Sequence, residues 1–149
     1  MTMDARQIAE ACQSLMWADD AMARELGMEL THGGPGEADI AMTITDAMTN
    51  PHGTAHGGYI FTLADTAFAY ACNSYDNKVV ASHCSITYIA PARVGVRLTA
   101  SAREHVRFGR SGIYDVSVRD EAGELIAEFR GHSRNVKGRH LGEEPENDG

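Results

Sequence analysis

An α+β fold, one long helix set against a largely antiparallel sheet, is what this sequence predicts. Residues 56–75, HGGYIFTLADTAFAYACNSY, form a nearly all-apolar stretch of helical length. An alternating segment precedes it, and four more strand-like segments follow it in succession with no helix between them. At 149 residues and 16.1 kDa the chain is long enough to bury one core and too short for two, so a single fold must account for all of it.

The elements follow in order. Residues 4–26 read as an amphipathic helix, with Ile8, Cys12, Leu15, Met22 and Leu26 at roughly helical spacing and Gly27 placed to end it as a lid or flank on the core. After a loop at 31–37 (THGGPGE), residues 38–46 alternate Ile40, Met42 and Ile44 with Asp39, Thr43 and Thr45, the mark of a half-buried strand. A loop from Met48 to Ala55, containing Asn50-Pro51 and Gly53, leads into the long helix. There Ile60, Leu63, Ala64, Ala67, Phe68 and Ala71 form the core-facing stripe. Asp65 lies about 130° from the middle of that stripe, beside Phe61 and Cys72. Those neighbours and Ala69 make the second side apolar too, and a homodimer interface is the natural cover. Strands are expected at 78–90 (stopped by Pro91), 94–106, 111–119 and 124–134, with a tight hairpin connection at 120–123 (DEAG). The domain is expected to span 1–138, and the acidic segment 139–149 to be a disordered tail.

Composition narrows the function. No apolar run reaches the roughly 18 residues of a membrane span, and the N-terminus lacks a basic region followed by an apolar one, so a cytoplasmic protein without membrane contact is expected. Cys12, Cys72 and Cys84 are odd in number and lack CxxC spacing, as suits a reducing compartment. A net charge of -8 opposes nucleic-acid binding. The charge is unevenly spread: residues 1–92 hold 3 Lys/Arg against 11 Asp/Glu, whereas 93–140 hold 10 against 6. Arg103, His105, Arg107 and Arg110, with Arg130, Arg134, Lys137 and Arg139, form a candidate basic rim for a phosphate-bearing small molecule.

Two features carry chemistry. Gly57 and Gly58 begin the long helix, where backbone N–H groups lack helical partners and the dipole favours negative charge, a geometry suited to a developing oxyanion. Asp65 is an ionisable group on an otherwise apolar helix, which marks it for chemistry. It lies eight residues from Gly57, about 12 Å along the axis, so one helix cannot bring both to the same atom. Two helices packed antiparallel in a dimer can. His52 and His56 are four apart but lack the helix and Glu of a zinc site, so His56 reads as a cap. No GxSxG elbow, GxGxxG or phosphate-loop pattern is present.

Asn50, His56-Gly57-Gly58 and Leu63-Ala64-Asp65-Thr66-Ala67, together with the string LADTAFAYACNS, closely resemble the hotdog-fold acyl-CoA thioesterases of the phenylacetic-acid-degradation (PaaI) type over about residues 10–138. The resemblance implies a long helix wrapped by five or six antiparallel strands, in homodimers that often pair again into homotetramers. It implies that Gly57 N–H binds the thioester carbonyl oxygen, that Asn50 helps to position it, and that His56 supports the loop. Asp65 of the opposing subunit would act as general base or nucleophile. Gly58 and Thr66 would line the substrate pocket. Some relatives add a hydroxyl from the following strand; Ala81 takes that place here, and Ser82 beside it is the substrate-binding candidate. No metal or cofactor is implied, since coenzyme A is part of the substrate and a product, and its phosphates would meet Arg107 and Arg110. The expected substrates are aryl-acetyl-CoA thioesters, phenylacetyl or hydroxyphenylacetyl. A non-catalytic acyl-CoA-binding protein and an enoyl-CoA hydratase on the same fold are the alternatives.

Overall fold

A computed structural model describes residues 2–142. Helices span Ala5–Asp19 (α1), Ala21–Glu25 (α2) and Gly57–Cys72 (α3); strands span Glu29–Gly34 (β1), Glu37–Thr43 (β2), Val79–Tyr88 (β3), Arg97–Phe108 (β4), Ser111–Arg119 (β5) and Leu125–Asn135 (β6). All six strands join one antiparallel sheet in the order β1-β2-β4-β5-β6-β3. Helix α3 packs against every strand, the arrangement that the resemblance implies. Among the described residues no helix is long and apolar enough to cross a membrane.

The core lies between α3 and the sheet. Each member of the expected stripe, Ile60, Leu63, Ala64, Ala67, Phe68 and Ala71, is buried, and burying the larger ones contributes roughly 1.5–3 kcal/mol each. Phe68 packs edge-on against Tyr114, with ring centroids 5.6 Å apart. It also explains Gly131 on β6, where a Cβ would come within 2.7 Å of the Phe68 ring.

Three sequence expectations are revised. The N-terminal helix is broken at Asp20, which ends α1 and caps α2 by accepting from Ala23 N–H, while Tyr70 donates to its other oxygen at 3.0 Å. The buried face of α1 is formed by Ala9, Cys12 and Gln13, and Leu15 and Met22 are exposed. Second, the segment read as a loop at 31–37 contains most of β1 and its turn into β2. Gly33 is there because the Gln13 amide crosses it, donating to Gly34 O, Glu37 O and Tyr70 O; a Cβ at 33 would collide with Gln13 Oε1. Third, the tail expected from 139 is held at its start. Asp76 accepts from Arg139 and from the N–H groups of His140 and Leu141, and His140 Nε2 meets Asn73 Oδ1 at 2.9 Å. The rest of that tail lies outside the described residues.

Candidate active site

Asn50 organises the loop that enters α3. Its Oδ1 accepts from His52 N–H at 2.9 Å, its Nδ2 donates to Thr54 Oγ1 at 3.0 Å, and its backbone N–H donates to Thr54 O at 2.8 Å. Gly53 completes the turn at φ 78°. His56 then stands as the N-cap: its backbone N–H donates to Met48 O, and its Nδ1 accepts from Gly58 N–H at 3.0 Å. The cap consumes the Gly58 donor. Gly57 N–H has no acceptor among the described residues, so it is the helix-start donor left for a ligand.

Gly57 opens on a cleft of about 480 Å³ whose lining includes Asn50, Ile60, Tyr88, Ile89 and Pro91. Tyr88 is the member that sequence reasoning missed. Its hydroxyl donates to Gly57 O at 2.9 Å across 31 positions of chain, and a Cβ on Gly57 would lie 2.9 Å from its ring carbon Cζ. No local pattern could have announced that contact.

Asp65 is part-buried and carries no hydrogen bond or ion pair among the described residues. Desolvation alone raises its pKa above the ordinary carboxylate range. It neighbours two thiols: burial, with the Asp65 charge adding to it, pushes Cys72 up to about 12 and raises Cys84 as well. Helix α3 and strand β3 run side by side in opposite directions, with Tyr88 at Gly57, Cys84 near Asp65 and Val79 bonded to Asn73. Eight helical residues and four strand residues both measure about 12–13 Å. Within one chain the N–H donor and the carboxylate therefore stay apart.

The remaining candidates are dispersed. Thr66 is buried and donates to Thr62 O at 2.6 Å, and Ser82 sits at a bulge in β3 and donates to His132 O at 3.1 Å; both hydroxyls are engaged by backbone. Arg107 lies at the other end of α3, its Nε 3.1 Å from Glu104 and its guanidinium stacked 3.5 Å over the Tyr75 ring. Arg110 is exposed at the β4–β5 hairpin. Much of the basic rim is spent on carboxylates: Arg103 on Asp39 and Glu37, Arg130 on Asp115, and Arg139 on Asp76. Among the described residues no three His, Cys, Asp or Glu side chains group to hold a metal ion.

Residues 52–127 match the thioesterase superfamily. Over 128 residues the chain is 41% identical to the acyl-coenzyme A thioesterase PaaI of Escherichia coli (strain K12), covering 86% of this chain and 91% of that protein. The structure of the E. coli PaaI protein from the phenylacetic acid degradation operon superposes with a TM-score of 0.89 at 38% identity, covering 91% of this chain and 99% of that one. A mutant of the phenylacetic acid degradation protein PaaI from Thermus thermophilus gives a TM-score of 0.76 at 38% identity, over 78% of this chain and 100% of that one. The chain belongs to the thioesterase superfamily and is a thioester hydrolase of the PaaI type.

Proposed function

We propose that this thioesterase-superfamily chain hydrolyses aryl-acetyl-CoA thioesters, phenylacetyl or hydroxyphenylacetyl, to the free acid and coenzyme A in phenylacetate catabolism, with each site built by two copies of the chain. The acyl-CoA part is supported by the PaaI relatives. Asp65 is the observation that carries the chemistry: a part-buried carboxylate with no hydrogen bond or ion pair among the described residues, on the side of α3 away from the core stripe. Its supporting geometry is the gap of about 12 Å to Gly57 N–H, which an antiparallel second helix would close.

Each step then has a residue. Asp65 of one copy takes a proton from water as the water oxygen attacks the thioester carbonyl. The carbonyl oxygen becomes an oxyanion facing Gly57 N–H of the other copy, at the positive end of α3. Collapse of the tetrahedral intermediate breaks the C–S bond, and the thiolate of coenzyme A leaves and takes up the proton that Asp65 holds, which restores the base. Asn50 and His56 hold the loop and helix start, and Arg110, with the outer nitrogens of Arg107, meets the nucleotide phosphates. Because the base must be ionised, activity should fall in acid at a pH above the ordinary carboxylate range.

A panel of acyl-CoA thioesters read by thiol release tests this reading. Fastest turnover of aryl-acetyl thioesters is expected. A preference for straight-chain acyl groups would overturn the substrate class, while binding without thiol release, or hydration of an enoyl-CoA instead, would overturn the reaction.

A further inference from the structure

We infer that Tyr88 is a positioning residue: it locks the first peptide of α3 so that Gly57 N–H faces the cleft, and its ring occupies the place a side chain at position 57 would take. This rests on the reading of Gly57 N–H as the oxyanion donor.

Two consecutive glycines are the least restrained start a helix can have, since each leaves more backbone freedom than any other residue. An oxyanion donor needs the opposite, a fixed direction before the reaction begins. The peptide joining Gly57 and Gly58 is held at both polar ends. Tyr88 Oη donates to its carbonyl at 2.9 Å, and His56 Nδ1 accepts from its N–H at 3.0 Å. On the other side of Gly57, His56 N–H is tied to Met48 O at 2.7 Å. With the peptides on both flanks anchored, the Gly57 N–H between them cannot swing. His56 reaches its partner locally, whereas Tyr88 arrives from the end of β3, so the strand carries the helix start to its register.

Tyr88 lines the cleft into which Gly57 opens. Here the ring stands where a Cβ on Gly57 would go, 2.9 Å from Cζ and from Oη and 3.2 Å from Cε1. The absence of a side chain at 57 thus follows from Tyr88 and needs no direct contact with substrate.

The test measures kcat, KM and thermal melting for five variants, using a short thioester without the nucleotide. Tyr88→Phe keeps the ring and removes the hydroxyl; kcat should fall about 5- to 30-fold with KM within about twofold and melting unchanged. A hydroxyl with only a structural role would lower melting and leave the turnover of folded enzyme intact, which would overturn the inference. Gly57→Ala should cost about tenfold or more in the wild-type background and less than about twofold beyond Tyr88→Ala alone. Equal losses in both backgrounds would place the added methyl against substrate and overturn the steric half. If Tyr88→Ala does not fold, Tyr88→Leu clears the same space with apolar cover. Gly57→Pro in the Tyr88→Ala background separates this inference from the reading beneath it. It should lose a further 10²-fold or more relative to Gly57→Ala there, about the size of one oxyanion donor. Equal activity of the two would sink the oxyanion reading itself, whereas loss with Pro alongside a harmless Tyr88→Phe would sink only the role of Tyr88.

Discussion

The two ends of α3 treat their polar groups in opposite ways. At the C-terminal end the polar side chains Asn73, Ser74, Tyr75 and Asp76 are all matched. Asn73 donates to Ala69 O and Val79 O and accepts from Val79 N–H; Ser74 bridges Gly36 N–H and Ala71 O. Glu104 gathers Tyr75, Tyr114 and Arg107 on one oxygen, and Asp76, at φ 60°, fastens residues 139–141. In the N-terminal half, Gly57 N–H and the Asp65 carboxylate have no hydrogen-bond or ion-pair partner among the described residues. A satisfied buried network specifies the fold; unsatisfied groups in a part-buried setting cost stability and mark where a ligand is expected.

The sharpest way to break this contrast is to exchange its costs. Asp65→Asn should lower kcat by about 10²–10⁴ with the fold intact, the range for losing a positioned acid–base group. The same change should stabilise the folded chain at neutral pH, the trade-off between stability and activity expected of a destabilised active-site group. The sign follows from the raised pKa: folding favours the protonated carboxyl, so its contribution is present below the unfolded pKa and lost as pH rises through the folded value. The gain should therefore shrink in acid. Thermal melts of both proteins across pH check it, and a variant that is inactive because it has unfolded would refute the assignment.

At the other end the expectation reverses. Asp76→Asn should cost about 1–3 kcal/mol, since a buried acceptor loses its charge and three part-buried groups lose a charged partner, while kcat per folded molecule stays unchanged. Burial raises the Asp76 pKa, but Leu141 N–H, the Arg139 guanidinium and His140 N–H outweigh it and hold the group below its ordinary value. Its stability contribution is therefore present above the unfolded carboxylate pKa and lost as pH falls through the lowered one. A normal melting curve with reduced kcat would move this end into the chemistry.

Legibility in the sequence divides along the same line. The stripe from Ile60 to Ala71, Gly57 and Asp65 could be read because each is a local anomaly or period within one helix. β1 could not, because its glycines answer to Gln13 far upstream. Neither Tyr88 nor Asp76 carries a local mark, since their partners lie 31 and 63 to 65 positions away. The basic rim was legible as composition only; which arginines are already paired is decided by strand register.

The arginines give the smallest expected effect and sharpen the comparison most finely. Arg110→Ala should raise KM for acyl-CoA up to about tenfold, equivalent to about 1.4 kcal/mol, and leave a thioester without the nucleotide unaffected. Arg107→Ala should raise KM similarly and also lower melting, because it leaves Glu104 and Tyr75 without their cation. Equal changes on both substrates would put these side chains outside phosphate binding.

Whether the two unpartnered groups meet across a dimer is tested by mixing Asp65→Asn with Gly57→Pro. Proline suits the first position of a helix, and His56 before it already has the extended ψ of 135° that a following proline requires. The Tyr88→Ala background gives its ring room. Each protein alone should be nearly inactive. With free exchange, about half the dimers are mixed and each holds one intact site of two, so activity should recover to roughly a quarter of that of the Tyr88→Ala parent. No recovery, with heterodimers demonstrated and both partners folded, would mean that each chain builds its own site.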